Sequence, residues 1–466
     1  MMWIGPACLA AGLLVLMAGA ASAHTSERAF ILTLPTDLYL AAGTATVAVS
    51  FLLVALAGSP LPRRLGGIGV RLARVPSGLA DAASIVLLGL VAALVAVGWW
   101  GTQDPLANLL PLAVWTVWWI GLTLLCALLG DLWAIANPWR GAHALLARVP
   151  GLGRFLARPP FAYPPRLGAW PAVAGFLAFA WFELVSQAPQ APAPLATAVA
   201  IYLVVNLAGT LLFGLRPWLA NAEAFSLYFR MVAWLSPLDG RPEGDRAVLT
   251  VPGGGLLHLS PLPPARVAFV LLALASVSFD GLMRTFWWLD RLGLNPLEFP
   301  GRSAVFVANS LGLVGVFGAL GAVFVLAIRL GQRLEGDGAP LAPRAGQAVV
   351  AIVPIALGYH LAHYLTAFLV DIQFAGAALA ALVAADVGHP TTSFLASHGP
   401  VRAIWHVLVA LIVAAHVAAV VVAHAIALRD APSPRAAILR QAPLTLLMVG
   451  YTLFGLWLLA TPVIGG

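Results

Sequence analysis

The chain has 466 residues, of which 61% are hydrophobic and 9% charged, and its mean hydropathy is +0.94. That is too little charge to cover a water-soluble domain. The net charge of +7 rests on 25 basic residues, all of them Arg; together with the wealth of Ala, Gly and Pro this fits the codon usage of a GC-rich bacterium. The arginines are scattered singly rather than clustered with aromatics, which argues against a nucleic-acid partner. Cys8 and Cys126 fall in separate apolar runs, so neither a disulfide framework nor a thiolate metal site can be built.

At the N-terminus, residues 7–20 form an apolar run too short to span a bilayer comfortably, followed by the small-residue pattern Ala21-Ser22-Ala23. Residues 1–23 therefore read as a signal peptide, although its start lacks a basic side chain, and cleavage would leave His24 first. Residues 24–466 read as a single integral membrane domain. Apolar segments follow at about 38–57, 83–101, 108–130, 168–186, 195–215, 267–288, 305–328, 346–370, 402–428 and 441–461, each near the ~20 residues that cross a bilayer. Lipid obliges each segment to satisfy its own backbone polar groups, and long unbroken runs do so as helices. The expected fold is all-α, a polytopic transmembrane helix bundle of about ten helices after a signal peptide.

Arginine placement orients the bundle. The loops after the first, third, fifth, seventh and ninth segments hold 20 of the 25, leaving Arg28, Arg284, Arg291, Arg302 and Arg402 for the other face. The positive-inside bias puts His24 and the C-terminus outside, in the inner membrane of a bacterium. Trp99-Trp100 and Trp287-Trp288 fall at helix ends expected near the outer headgroups, whereas Trp118 and Trp119 sit deeper and read as ordinary packing. In the long inner loop 216–266, Ala224 to Leu235 reads as an amphipathic stretch lying in the interface, and the Gly- and Pro-rich Val251 to Pro264 as a small hairpin.

An ionisable group inside hydrocarbon is costly and normally pairs, binds or reacts. On the fourth helix Glu183 lies roughly 6 Å below the outer boundary and on the sixth Asp280 roughly 10 Å below it, at ~1.5 Å per residue. The eighth carries Tyr359-His360-Leu361-Ala362-His363-Tyr364 and ends at Asp371, and His406 opens the ninth. All reach the same outer half. Histidines three apart share a helix face, so His360 and His363, completed by Asp280 and His406, make a zinc-like metal set with an open position. His416 and His424 read as interhelical hydrogen-bond partners. His24, if N-terminal, offers an amine and an imidazole to one metal ion, an arrangement suited to copper. Two other classes compete with catalysis: a haem- or copper-binding redox protein using His406 and His424, and a metal-handling transporter. Transport needs polar groups continuing to the inner face, and few are visible below His416 and His424.

The segment His24-Thr25-Ser26-Glu27-Arg28-Ala29-Phe30 leading to Leu34-Pro35-Thr36-Asp37, the Phe279-Asp280-Gly281 run, Tyr359 to Tyr364, and Trp405-His406 followed by His416 and His424 resemble the bacterial membrane proteins called fenitrothion hydrolases, over nearly the whole chain. The resemblance implies an organophosphorus triester hydrolase that cleaves the aryl ester bond, with a small membrane partner subunit. A neutral triester is an apolar small-molecule substrate that dissolves in the lipid bilayer and needs no cationic cradle. A divalent transition metal lowers the pKa of bound water to about 7 and supplies hydroxide at phosphorus. The expected ligands are His360, His363, Asp280 and His406, with Glu183 as base or outer partner and Asp280 shared with the catalytic set.

Overall fold

The computed structural model describes residues 36–57, 68–70, 77–239, 247–249, 251–385 and 388–464. The expected signal peptide and His24 lie outside the described residues. Ten helices correspond to the ten apolar segments: α1 Thr36–Ala57, α2 Ser77–Trp100, α3 Leu109–Leu129, α4 Trp170–Leu184, α5 Pro192–Phe213, α6 Pro264–Met283, α7 Phe306–Glu335, α8 Val353–Ala381, α9 His398–Asp430 and α10 Pro434–Ala460. All except α4 are long and apolar enough to cross a membrane, and the fold is an all-α polytopic bundle. The central helix is α6, buried along most of its length between α4, α7 and α8. At the periphery α1 leans on α9 and α10, and its Leu52, Leu53 and Leu56 face outward, as lipid allows.

Helix α4 has 15 residues, about 22 Å of rise, less than the ~30 Å of hydrocarbon. Its last carbonyls have no donor within the helix. Arg302 supplies one: its Nη1 donates to the carbonyl oxygens of Glu183 at 3.0 Å, Leu184 at 3.4 Å and Ser186 at 2.9 Å. A guanidinium from the segment before α7 thus lets α4 end inside the bundle.

Four features differ from the expectation. The stretch from Ala224 is a helix, Ala224–Ala233, but it does not lie in the interface: among its residues only Arg230 and Ala233 are not buried. It is amphipathic, as expected, but it packs against α3, α4 and the helix Leu132–Ala136 rather than on a surface. Glu223 anchors it, accepting from the backbone N–H of Phe225 at 2.9 Å and Ser226 at 2.6 Å, from Trp133 Nε1 at 3.3 Å and from the Tyr202 hydroxyl. The expected hairpin at 251–264 is a 3₁₀ turn, Gly254–His258. Strands occur earlier, as a three-stranded antiparallel sheet in which Ala247–Leu249 pairs with both Ile68–Val70 and Leu238–Asp239. Helix α8 runs past Asp371 to Ala381, because nothing breaks it before the turn at Ala384 with φ 52°. The middle of α3, Leu112–Leu122, is a π-helix, a rare form in runs this long.

Candidate functional site

The cluster forms where α4, α6 and α8 converge at the Arg-poor end of the bundle. Asp280 is 1% exposed and three residues from the end of α6. Its Oδ2 accepts from His363 Nε2 at 2.7 Å and from the Tyr364 hydroxyl at 3.1 Å, while Oδ1 faces Arg284 Nε at 3.1 Å. The Tyr364 hydroxyl also meets Glu183 Oε1 at 2.8 Å. One phenol hydrogen lies between two carboxylates, so Glu183, Tyr364 and Asp280 Oδ2 are joined in one chain when they hold one further proton, while Asp280 Oδ1 has the Arg284 ion pair and no hydrogen bond. His363 is 24% and Arg284 38% exposed, so both are within reach of an incoming molecule.

His360 takes the other side of Tyr364. Its ring lies edge-on to Trp119 with centroids 4.7 Å apart, its Nδ1 is 3.4 Å from the Tyr228 hydroxyl, and its Nε2 has no partner. A rotation of 300° between residues three apart leaves the two imidazoles about 60° out of line, and the Tyr364 ring touches both, with centroids 4.9 Å from His360 and 4.8 Å from His363. With Trp119, Tyr228, Glu183 and Tyr364, His360 lines a cavity of about 10 Å³, counted as room for the centre of a water molecule. That is the space of one water. The π-helical segment of α3 delivers Trp119 to this cavity, where its indole packs in the aromatic core, as expected, and also forms the wall beside His360.

The structure therefore brings together Glu183, Asp280 and His363, with His360 one wall away. It does not bring His406 to them. On α9, His406 Nε2 is 2.8 Å from the Tyr39 hydroxyl of α1, because matching depth in the membrane leaves the direction around each helix unset. A divalent ion needs at least three convergent donors with open lone pairs. Among the described residues no group of three or more His, Cys, Asp or Glu is so arranged, and both Asp280 oxygens already face cationic or N–H groups. The set His360, His363, Asp280 and His406 does not fit a metal as it stands. Of the two histidines of the haem reading, His406 bonds Tyr39 through Nε2 and His424 bonds Gln441 through Nδ1 at 2.5 Å, leaving His424 Nε2 open. Sequence reasoning missed Tyr364, Arg284, Tyr228 and Trp119. Arg284 was legible as the cation one turn beyond Asp280, whereas Tyr228 lies in a loop helix that no spacing ties to α8.

No protein-family model matches the chain, and no curated protein and no solved structure does so either.

Proposed function

We propose that the chain is a membrane-embedded hydrolase of neutral, lipid-soluble esters, with aryl phosphotriesters of the fenitrothion kind as substrate class. The observation that carries this reading is a buried carboxylate bonded to a partly exposed imidazole. Asp280 fixes the hydrogen of His363 on Nε2 and leaves Nδ1 as the base, the division of labour of carboxylate–histidine dyads. The resemblance to fenitrothion hydrolases supplies the substrate class and the small membrane partner subunit.

In this reading His363 Nδ1 takes a proton from water as the water oxygen bonds to phosphorus. The bond to the aryl oxygen breaks, and the aryloxide leaves with the electron pair, which a nitrophenolate does without a strong acid. Arg284 offers a cation for charge developing on the phosphoryl oxygen, and the Asp280 carboxylate stabilises the imidazolium that His363 becomes. The one-water cavity is far below the ~300 Å³ of a small-molecule pocket. In this reading the ester reaches His363 from the lipid side, and the arginine asymmetry supports the outer leaflet of a bacterial inner membrane as that side.

Purified protein in nanodiscs with fenitrothion, followed by nitrophenolate release, tests the proposal. Asp280→Asn and His363→Ala lower turnover by about 10³–10⁴-fold, as loss of a dyad member does, while Glu183→Gln costs about 10- to 100-fold. Metal content is unchanged in His363→Ala, because no step runs through an ion. A wild-type rate in His363→Ala overturns the assignment.

A further inference from the structure

The seam between α9 and α10 holds a file of buried polar atoms without partners. Gln441 Nε2 donates to His424 Nδ1 at 2.5 Å, leaving His424 Nε2 and Gln441 Oε1 unbonded. One turn along α10, the Thr445 hydroxyl is buried and unbonded. Two turns along α9, His416 is wholly buried; its Nδ1–H donates to the carbonyl of Ile412 at 2.8 Å and its Nε2 has no partner. His416 is therefore not the interhelical partner its position implied. Because α9 and α10 are antiparallel, these groups form a staggered ladder, Thr445 about 6 Å and His416 about 12 Å along the axes above the His424–Gln441 rung, with His416 turned about 80° around α9 from His424.

The ladder continues at both ends. Above it, the Tyr359 ring is 5.9 Å from that of His416, and the Tyr359 hydroxyl donates to the carbonyl of Tyr451 at 2.6 Å. The Tyr451 hydroxyl meets Ser278 Oγ at 2.5 Å on α6, the helix that carries Asp280; Ser278 and Asp280, two apart, sit on different faces of it. Below it, Gln441 lines a cavity of about 50 Å³, again counted as room for water centres, with Gln332, Arg344, Gln347 and Arg440. That space holds several waters. The cations beside it are matched, Arg344 by Asp337 at 2.6 Å and Arg440 by Glu335, so the cavity suits water better than an anion. Polar groups do continue below His416 and His424 to the Arg-rich face, against the expectation from sequence.

We propose that this seam holds a file of waters and conducts protons between the Arg-rich face and the Asp280–His363 cluster. Buried polar groups in folded proteins are bonded, to water where protein offers nothing. Here they alternate in kind: His424 presents an N–H, Gln441 Oε1 and His416 Nε2 present lone pairs, and the Thr445 hydroxyl does both. A water between them accepts from one and donates to the next. A proton moves from water to His416 Nε2 and from that nitrogen to the next water; only O–H and N–H bonds form and break, and one proton leaves for each that enters. The conduction requires no ester, so its test is separate from that of the hydrolase.

The full chain is reconstituted into phosphatidylcholine–phosphatidylglycerol vesicles loaded with the pH dye pyranine, and a potassium gradient with valinomycin imposes a potential. Internal acidification faster than in protein-free vesicles is expected, falling to their rate in His416→Leu and Thr445→Val and unchanged in Thr210→Val, whose hydroxyl bonds within α5. Thr445→Val keeps the side-chain shape, so it carries the test if His416→Leu does not reconstitute. Wild-type flux equal to that of protein-free vesicles, or flux that survives Thr445→Val and Gln441→Leu, overturns the proposal.

Discussion

Asp280 shows how a side chain can be legible in sequence while its partners are not. A carboxylate inside an apolar helix announces itself, since hydrocarbon tolerates it only when paired, and Glu183 and His363 were found by the same reasoning. Depth along a helix, however, says nothing about azimuth. His406 has the right depth and faces Tyr39, while Tyr364, beside His363 in the sequence, joins both carboxylates. At the Arg-rich end, Asp337 in the loop between α7 and the helix Leu341–Ala348 is an acid outside the membrane spans. Burial acts to raise its pKa, but the hydrogen bond from Arg344 at 2.6 Å, the Ala339 N–H and the charges of Arg344 and Arg440 together hold it below the ordinary carboxylate value. A depressed folded-state value means that the stabilisation is complete above the unfolded value near 4 and is lost as pH falls through the folded one. Thermal unfolding in detergent should therefore show wild type more stable than Asp337→Asn at about pH 6, with the gap closing below about pH 4. A gap that widens on acidification contradicts the sign.

At the scale of elements, hydropathy read the spans well because lipid imposes one solution on a long apolar run. The inner loop was read less well. The helix Ala224–Ala233 is too short to span and its amphipathic pattern suits a surface, so nothing local says that it folds back to place Tyr228 against His360; that follows from Glu223 at its N-terminus and from tertiary packing. Contact between α7 and α10 was likewise invisible until the two helices were side by side. A Cβ at Gly331 would run into the backbone carbonyl of Arg440, whereas one at Gly318 on the same helix meets nothing within 4 Å. Gly331→Ala should push α10 away from α7 and destabilise the fold by about 1–3 kcal/mol, the usual cost of overpacking. Gly318→Ala should be neutral, or stabilising by up to about 1 kcal/mol through helix propensity. Equal unfolding temperatures for the two variants would mean that α7 and α10 do not pack through Gly331.

For the whole molecule, the ten-helix count and the arginine asymmetry bear on one another. Ten crossings would bring both ends of the described chain out on the same side, and the twenty arginines on alternate loops predict that this is the outside. Short α4 is the test of the count, because at 15 residues it is the crossing that length alone leaves open. If α4 did not cross, the helices after it would reverse, and the arginines of the later loops would fall on the opposite side from those of the earlier ones. The Arg302 bonds to its terminal carbonyls argue for a crossing that ends inside the bundle, since they bring the segment before α7 onto the end of α4 beside Glu183. Reporter fusions in the loops at 63–74 and 140–166 should therefore report the cytoplasm, a fusion at 187–191 after α4 the outside, and a fusion at the C-terminus the outside. A cytoplasmic signal at 187–191 would remove α4 from the crossings. Together with a C-terminus on the inside, it would set Asp280 and His363 on the opposite leaflet and require the ester to come from the cytoplasmic half of the bilayer.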